Sequence, residues 1–581
     1  MKKHQVEVEL ISDFNIEILG RYLTQDDRSP GCSVRSRPFG QVFPALLDEA
    51  SPPIDFGLVW TKPDAVIPTF AKALALQQVD VEAVMREVEA YAVAIARYAQ
   101  RARFVLVAAW ALPADNRGYG MLDWRPGLGI RHLLAKMNLA VAEKLAAHRT
   151  IFILDPTLWL QAAGASAISP KMWFAGKVPY GNRVFQEAVA DLKGAMAGAL
   201  GSARKLVVVD LDDTLWGGTV GETGWEGVRL GGHDHIGEAY VSFQRALKAL
   251  ANRGVQIGVV SKNDEHVALE VFDRHPEMCL RRSDLAGWRV NWGDKARNLV
   301  ELVEELNLGL DSVVFIDDNP AERGRIRETI PAVLVPDWPD DPCLYASRLM
   351  SLPCFDTPAV SDEDRARVRM YAADRERRTA LGQVGTVEEW LAGLGVEVQM
   401  APLERADLAR ATQLFNKTNQ LNLSTRRLSE NELMAWASAA HRRLWTVRVR
   451  DRFGDLGLVG LVSLELDGAR GRVVDFILSC RAMGRRVEEA MMHVAIRCAQ
   501  RAGAREVIAE YGPTPRNGPC LKFFESSGLS RVGDHRFVWR GDVPYELPGT
   551  VTLTGPDDDG VEFATAARER RDELQVADGG G

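Results

Sequence analysis

The sequence predicts a multidomain α/β protein. Apolar strand-like runs alternate with longer helical patterns through about residue 320, and the strands lengthen and adjoin one another after about residue 395. At 581 residues the chain also exceeds what one hydrophobic core serves. Hydrophobic residues make up 46% and charged residues 26%, a balance that argues against a disordered chain. The net charge of −8 and pI near 5.8 give no chain-wide basic field, so nucleic acid is not an expected partner. No stretch approaches the ~18 apolar residues of a membrane helix. The opening "MKKHQVEVELISDFN" alternates valine and leucine with glutamate where a signal peptide would be continuously apolar, so a cytoplasmic location without membrane contact is expected. Seven cysteines are scattered without a Cys-x-x-Cys pair and are expected to be thiols.

In order along the chain, "QVEVELIS", "FGLVWT", "RFVLVAAW" and "TIFILD" alternate with helical patterns such as "VDVEAVMREVEAYAVAIARYAQRA". They predict a first α/β domain over 1–200 with a mostly parallel sheet. "KLVVVD", "VQIGVVS" and "SVVFIDD", each preceded by a helix-period segment, predict a second doubly wound domain over 201–355. The charged "SDEDRARVRMYAADRERRTA" marks 356–394 as a solvated helical linker. "LWTVRVRDRFGDLGLVGLVSLEL" and "GRVVDFILSC", with Phe-Gly-Asp and Asp-Gly turns and a helix from about 485 to 502, predict an antiparallel α+β domain over 395–545. Residues 546–581 read as a polar, glycine-ended tail. There is no internal repeat.

The chemistry concentrates at strand ends. A parallel strand opens its carboxyl end onto the crevice where α/β proteins bind ligands, so "VVVDLDDTLWGG" projects Asp210 and Asp212 into that crevice. "SVVFIDDNP" ends a second strand in Asp317 and Asp318, and carboxylates gathered this way repel unless a cation such as Mg²⁺ neutralises them. Either pair alone also suits a turn or a helix cap. Two further strand ends add Ser261, a hydroxyl for a phosphoryl oxygen, and Lys295, a fixed positive charge.

The order Asp-x-Asp-x-Thr, Ser, Lys, Asp-Asp resembles the haloacid dehalogenase (HAD) superfamily of phosphatases, with a Rossmann-like domain. That resemblance implies Asp210 as nucleophile and Asp212 as the proton donor and acceptor, with Ser261 and Lys295 holding the transferring oxygens. It implies Mg²⁺ on Asp210, Asp318 and the carbonyl of Asp212, with Asp317 supporting the metal, while Thr214 orients the loop. About fifty residues from Asp210 to Ser261 and about thirty from there to Lys295 leave no room for a large cap domain, so the site is expected to be capless and open. The glycines of "WGGTVGETGW" suit a flexible flap over it.

Longer strings, "LDDTLWGGTVGE", "SKND", "NWGDKARN" and "FIDDNPAER", resemble the FkbH-like branch of that superfamily (subclass IIIC). "SDFN", "PFGQV", "LVWTKPDAVIP" and "PKMWFAGKVPY" are similar to its SGNH-hydrolase-like amino-terminal region. "FNKTNQLNLSTRR", "DRFGDLGLVG" and "FILSCRAMGRRVEEA" are similar to its carboxyl-terminal acyltransferase-like (GNAT) region. The resemblance implies a glyceryl transferase/phosphatase that diverts 1,3-bisphosphoglycerate, a small phosphorylated three-carbon substrate, onto the phosphopantetheine thiol of an acyl carrier protein for polyketide or related biosynthesis.

The acyl acceptor needs a thiol, and Cys480 stands at a strand end beside Arg481, Arg485 and Arg486, whose charge favours a thiolate. A semi-buried cysteine without chemistry is the alternative, and Cys32 and Cys520 lack such basic neighbours. "RAMGRRVEE" is similar to a pyrophosphate loop, with Arg481, Gly484 and Arg485 as its binding residues, but Arg486 stands where a glycine often follows. Asn416, Asn419, Asn422 and Thr425 either bind a glyceryl or pantetheine chain or satisfy turns. Ser12, followed by Asp13, takes the place of an SGNH serine, and Asp155 the later acidic place. No histidine follows Asp155 within three residues, and His132 and His148 lie at other spacings, so the first domain is expected to be a non-hydrolytic platform. Two rival functions remain: a phosphatase on another substrate whose GNAT-like region only docks a partner, and a non-enzymatic assembly factor.

Overall fold

A computed structural model describes residues 5–112, 116–232, 234–359, 387–418, 420–514, 517–541 and 544–555. The chain divides into two compact units, Met1–Ala203 with Pro353–Ala359, and Arg204–Leu352 with Val360–Gly581.

The first unit holds five parallel strands: β1 (Gln5–Ile11), β2 (Gly31–Ser36), β3 (Ile54–Val59), β4 (Ala102–Ala108) and β5 (Ile151–Leu154). Their order is β2-β1-β3-β4-β5. Side chains alternate along each strand, and both faces are covered. Val59, Val105 and Val107 pack on one side with Val84, Val88 and Tyr91 of the helix Val81–Tyr98. Leu58, Leu106 and Leu10 pack on the other with Phe185, Val189 and Leu192 of the helix Asn182–Ala199. That helix carries Gly194 and Gly198 where Pro353 and Asp356 lie against it; a Cβ at these positions would meet Pro353 Cβ at 2.6 Å and the Asp356 carbonyl at 2.3 Å. This contact brings 353–359 back to the first unit, ahead of the boundary expected at 355.

The second unit contains two sheets. The first is parallel, β6 (Leu206–Val209), β7 (Gln256–Ser261), β8 (Gly287–Val290) and β9 (Val313–Ile316), in the order β8-β7-β6-β9. Every residue of β6 and β9 is at or near zero exposure, as two covered faces require. The second sheet comprises β10 (Val396–Pro402), β11 (Leu421–Asn422), β12 (Arg442–Asp451), β13 (Gly454–Asp467), β14 (Arg470–Leu478), β15 (Glu506–Glu510), β16 (Ser530–Arg531), β17 (Arg536–Arg540) and β18 (Val551–Thr554). Its path is β16-β17-β15-β14-β13-β12-β10-β18, with β11 on β14. Most neighbours are antiparallel; β14 and β15 are parallel, joined through the helix Val487–Arg501.

These features fit the expected α/β classes, including an α+β region after 395. Two boundaries differ in detail. The helix Val387–Leu394 buries Leu391 and Leu394 in the core of the last sheet, and β18 adds to the edge of β10 beyond residue 545. The rest of the expected charged linker (360–386), the end of the tail (556–581) and Asn419 lie outside the described residues. No helix among the described residues is long and apolar enough to cross a membrane.

Candidate active site

Strand register builds the site. Val209 of β6 lies beside Ile316 of β9, and Asp210 N–H donates to the Ile316 carbonyl at 3.0 Å, so Asp210 and Asp317 leave the sheet side by side. β7 ends on Ser261 at the same edge, with Val209 beside Val259. Lys295 opens the helix Lys295–Glu305, whose N-cap Asp294 accepts from the backbone of Arg297.

The Lys295 ammonium stands 2.9 Å from Asp210 Oδ2 and 2.6 Å from Asp317 Oδ2, and all three residues are buried. Asp318 completes the cluster: carboxylate oxygens of Asp210, Asp317 and Asp318 lie within 4.8 Å of one another. Thr214 Oγ1 donates to Asp318 Oδ1 at 3.0 Å and accepts the Asp318 N–H at 3.1 Å, which is the loop-orienting role expected of it. Asp317 Oδ1 accepts from Asn319 N–H at 2.9 Å, and Arg323 clamps the turn by donating to the carbonyls of Asp317 and Asp318.

Burial pushes Asp210 up to about 6, against the pull of Lys295. It raises Asp317 and Asp318 above the usual carboxylate range as well. Burial works against the Lys295 charge too, but Asp210 and Asp317 together hold its pKa above the ordinary value. Asp210 Oδ1 is buried and accepts no hydrogen bond from the described residues. A buried, unpaired carboxylate oxygen beside two further carboxylates is a donor set that fits a hard divalent cation. Asp210, Asp317 and Asp318 are therefore side chains that could hold such a cation together.

Asp212 is arranged otherwise. Its carboxylate stands outside that cluster: Oδ1 accepts from Trp216 Nε1 at 2.9 Å and Val220 N–H at 3.1 Å, and Oδ2 accepts from Asn263 Nδ2 at 2.9 Å. The metal role the resemblance implies for Asp212 is that of its backbone carbonyl, and its carboxylate is engaged by these three donors. Asn263 also donates to Ser261 Oγ at 3.3 Å. The sequence gives no expectation for Asn263 beyond its short step from Ser261 in "SKND". The glycine-rich stretch expected as a flexible flap is instead a helix, Val220–Gly227, kinked at Gly224 (φ 66°) and tied to Asp212 through Val220.

The C-terminal candidates lie in the turn after β14. Cys480 is half-buried, and its carbonyl accepts from Asn307 Nδ2 at 3.3 Å. Arg481 donates to Ser479 Oγ at 3.3 Å, Arg485 donates to the Arg481 carbonyl, and Arg486 pairs with Glu489 at 2.9 Å. Gly484 (φ 75°) and Arg486 (φ 62°) both adopt the left-handed region, so Arg486 takes a backbone conformation that favours glycine. Glu488 went unnoticed in the sequence; burial pushes its carboxyl up to about 7. Asn416 donates to the Leu428 carbonyl, while Asn422 donates to the Thr418 carbonyl and accepts from Thr425 N–H, so these side chains satisfy turns. None of the seven cysteines is in a disulfide. Burial raises Cys32 and pushes Cys520 up to about 12, which disfavours both as nucleophiles.

In the first unit Ser12 is 2% exposed and its hydroxyl accepts from Phe14 N–H at 3.2 Å. Asp155 caps the helix Pro156–Ala163 by accepting from Thr157 N–H at 2.9 Å. Both are engaged by neighbouring backbone.

No protein-family model matches the chain, and no curated protein does. Among solved structures, the chain is similar to the N-terminal part of the protein BF1531 from Bacteroides fragilis, containing a phosphatase domain complexed with Mg. That likeness has 26% identity and a TM-score of 0.56, and covers 61% of this chain and 95% of that one. It is also similar to spermidine N-acetyltransferase from Vibrio cholerae in complex with CoA and spermine (17% identity, 26% of this chain, 97% of that chain, TM-score 0.22). A third likeness is to the GNAT domain of S. lividans PAT (17% identity, 24% of this chain, 89% of that chain, TM-score 0.20).

Proposed function

We propose that this chain is an enzyme that removes phosphate through an aspartyl-phosphate intermediate at Asp210 and transfers an acyl group to a thiol. The observation that carries the phosphatase half is the single cluster of Asp210, Asp317, Asp318 and Lys295, with one buried oxygen of Asp210 unpartnered. The 26% identity to a phosphatase-containing, Mg-bound structure supports the same reading.

In this mechanism an oxygen of Asp210 attacks phosphorus, and the bond from phosphorus to the substrate oxygen breaks. Asp212 gives that oxygen its proton, which requires the Asp212 carboxylate to release at least one of Trp216, Val220 and Asn263. Water then attacks phosphorus and gives its proton to Asp212, and the bond to Asp210 breaks to free phosphate. Lys295 and Ser261 hold the phosphoryl oxygens throughout. Magnesium, when bound, supplies positive charge to the approaching phosphoryl group.

The finer reading follows the FkbH-like resemblance. The substrate is 1,3-bisphosphoglycerate. The Cys480 thiolate attacks its acyl carbon, the bond to the anhydride oxygen breaks with phosphate leaving, and the carrier protein's phosphopantetheine thiolate displaces Cys480. The three arginines beside Cys480 are engaged with Ser479, the Arg481 carbonyl and Glu489, which favours a second reading in which the C-terminal domain only docks the partner.

Intact-protein mass spectrometry separates these. The chain, magnesium, 1,3-bisphosphoglycerate and a candidate acyl carrier protein are mixed. A carrier gaining a glyceryl unit without phosphate supports both halves, phosphoglyceryl accumulation rules out hydrolysis at Asp210, and an unmodified carrier with phosphate released favours the docking reading.

A further inference from the structure

Strands β14 and β15 pair in parallel only over Arg470–Val473 against Glu506–Ala509. Beyond Val473, β14 runs on to Leu478 along β13, leaving its other edge with backbone N–H and C=O groups that need partners. The chain fills this edge itself. Leu421 pairs with Leu478, Asn422 with Ile477, and Leu423 N–H donates to the Phe476 carbonyl at 3.1 Å. From the other side, Gly512 N–H, just past β15, donates to the Leu423 carbonyl at 3.0 Å. Asn517, fully buried, donates through Nδ2 to the carbonyls of Asn422 (3.0 Å) and Gly512 (2.8 Å). Leu421 and Leu423 belong to the core, so this segment is part of the fold.

The turn that follows β14 is occupied as well. Two left-handed residues just ahead of a helix form the kind of backbone turn whose amides suit anions. Glu488, 6% exposed, reaches back from that helix: Oε1 accepts the Gly484 N–H at 3.0 Å, and Oε2 is buried with no hydrogen-bond partner among the described residues.

We infer that the C-terminal domain is closed to coenzyme A, because its own chain holds the sheet edge that an extended amide-bearing arm would join and a buried carboxylate holds the Gly484 amide at the turn that a diphosphate would use. The inference deepens the acyl-transfer half of the proposed function and rests on it: a carrier's phosphopantetheine, whose arm bears the same amides, has to reach Cys480 without joining this edge, and no diphosphate-bearing thioester supplies the acyl group.

Calorimetric titration of the full chain in EDTA tests this, with coenzyme A and inorganic pyrophosphate as separate probes. The parent chain is expected to give no saturable binding of either, and Glu488→Ala to bind pyrophosphate at least about tenfold more tightly than the parent. Saturable coenzyme A binding by the parent overturns the inference, and so does a folded Glu488→Ala that gains nothing. If that variant does not fold, backbone amide exchange in the parent decides. Slow exchange at Leu423 and Gly512, unchanged by coenzyme A, supports the inference; fast exchange, or a change on adding coenzyme A, overturns it. Hydrolysis of p-nitrophenyl phosphate by the same preparation, with magnesium in place of EDTA, reports the phosphatase half separately.

Discussion

Replacing Lys295 with methionine keeps an unbranched stem and removes the charge that stands between Asp210 and Asp317. At 2.9 Å and an effective dielectric of about 20, attraction to Asp210 alone is about 6 kcal/mol. Desolvation of the ammonium offsets part of this, and breaking a buried pair typically costs about 3–5 kcal/mol. The cost depends on pH. Asp210 already sits near 6 because burial raises it, and Lys295 is what pulls it back, so the variant's carboxyl rises further. A carboxyl raised in the folded state favours folding at low pH and loses that contribution as pH rises through its folded value. The variant is therefore expected to unfold close to the parent at pH 5 and at markedly lower urea at pH 8 in EDTA. Magnesium at pH 8 is expected to recover part of the loss by replacing the missing charge. Urea titration followed by tryptophan fluorescence, on the transition that magnesium shifts, makes the measurement. Equal midpoints for variant and parent at pH 8 would refute the account of Lys295 as the counter-charge of the cluster.

Asp210→Asn is expected to lower phosphate release by about 10³-fold or more and to remove the magnesium-dependent shift in unfolding, read by phosphate assay and by melting with and without the metal. Cys480→Ser is expected to abolish carrier acylation, seen by mass spectrometry, while p-nitrophenyl phosphate hydrolysis continues; unchanged acylation rules out Cys480 as the acceptor. Glu488→Gln is expected to stabilise the C-terminal domain by up to about 3 kcal/mol at pH 8 and not at pH 5, since each unit of raised pKa is about 1.4 kcal/mol and Glu488 stands near 7 from an ordinary 4.5. Scanning calorimetry at the two pH values checks this. Ser12→Ala is expected to leave hydrolysis and acylation unchanged, and a loss of either would give the first unit a catalytic part.

Strand ends were legible because their signal is local. A run such as "LVVVDLDDT" carries its own burial pattern and its own exit into the crevice, and parallel pairing then delivers Asp210, Ser261 and Asp317 to one edge. What was illegible depends on contacts between distant segments. The orientation of Asp212 is set by Trp216, Val220 and Asn263 together. Cys480 looked electropositive because three arginines adjoin it in sequence, but a guanidinium's reach lets each choose another partner. For Asn422 the sequence leaves a ligand group and a turn former open, and its side chain serves the turn at Thr425.

By itself, the sequence determined the α/β class and the residues that converge at the parallel sheet, since apolar periodicity and residue type act over a few neighbouring positions. Only the tertiary structure decided that Leu421–Leu423 fills the edge of β14, that Glu488 turns back onto Gly484, and that Asp210 keeps one oxygen without a partner. Each of these is a question of which distant group reaches a buried polar atom first, and that is settled by packing and desolvation across the whole fold.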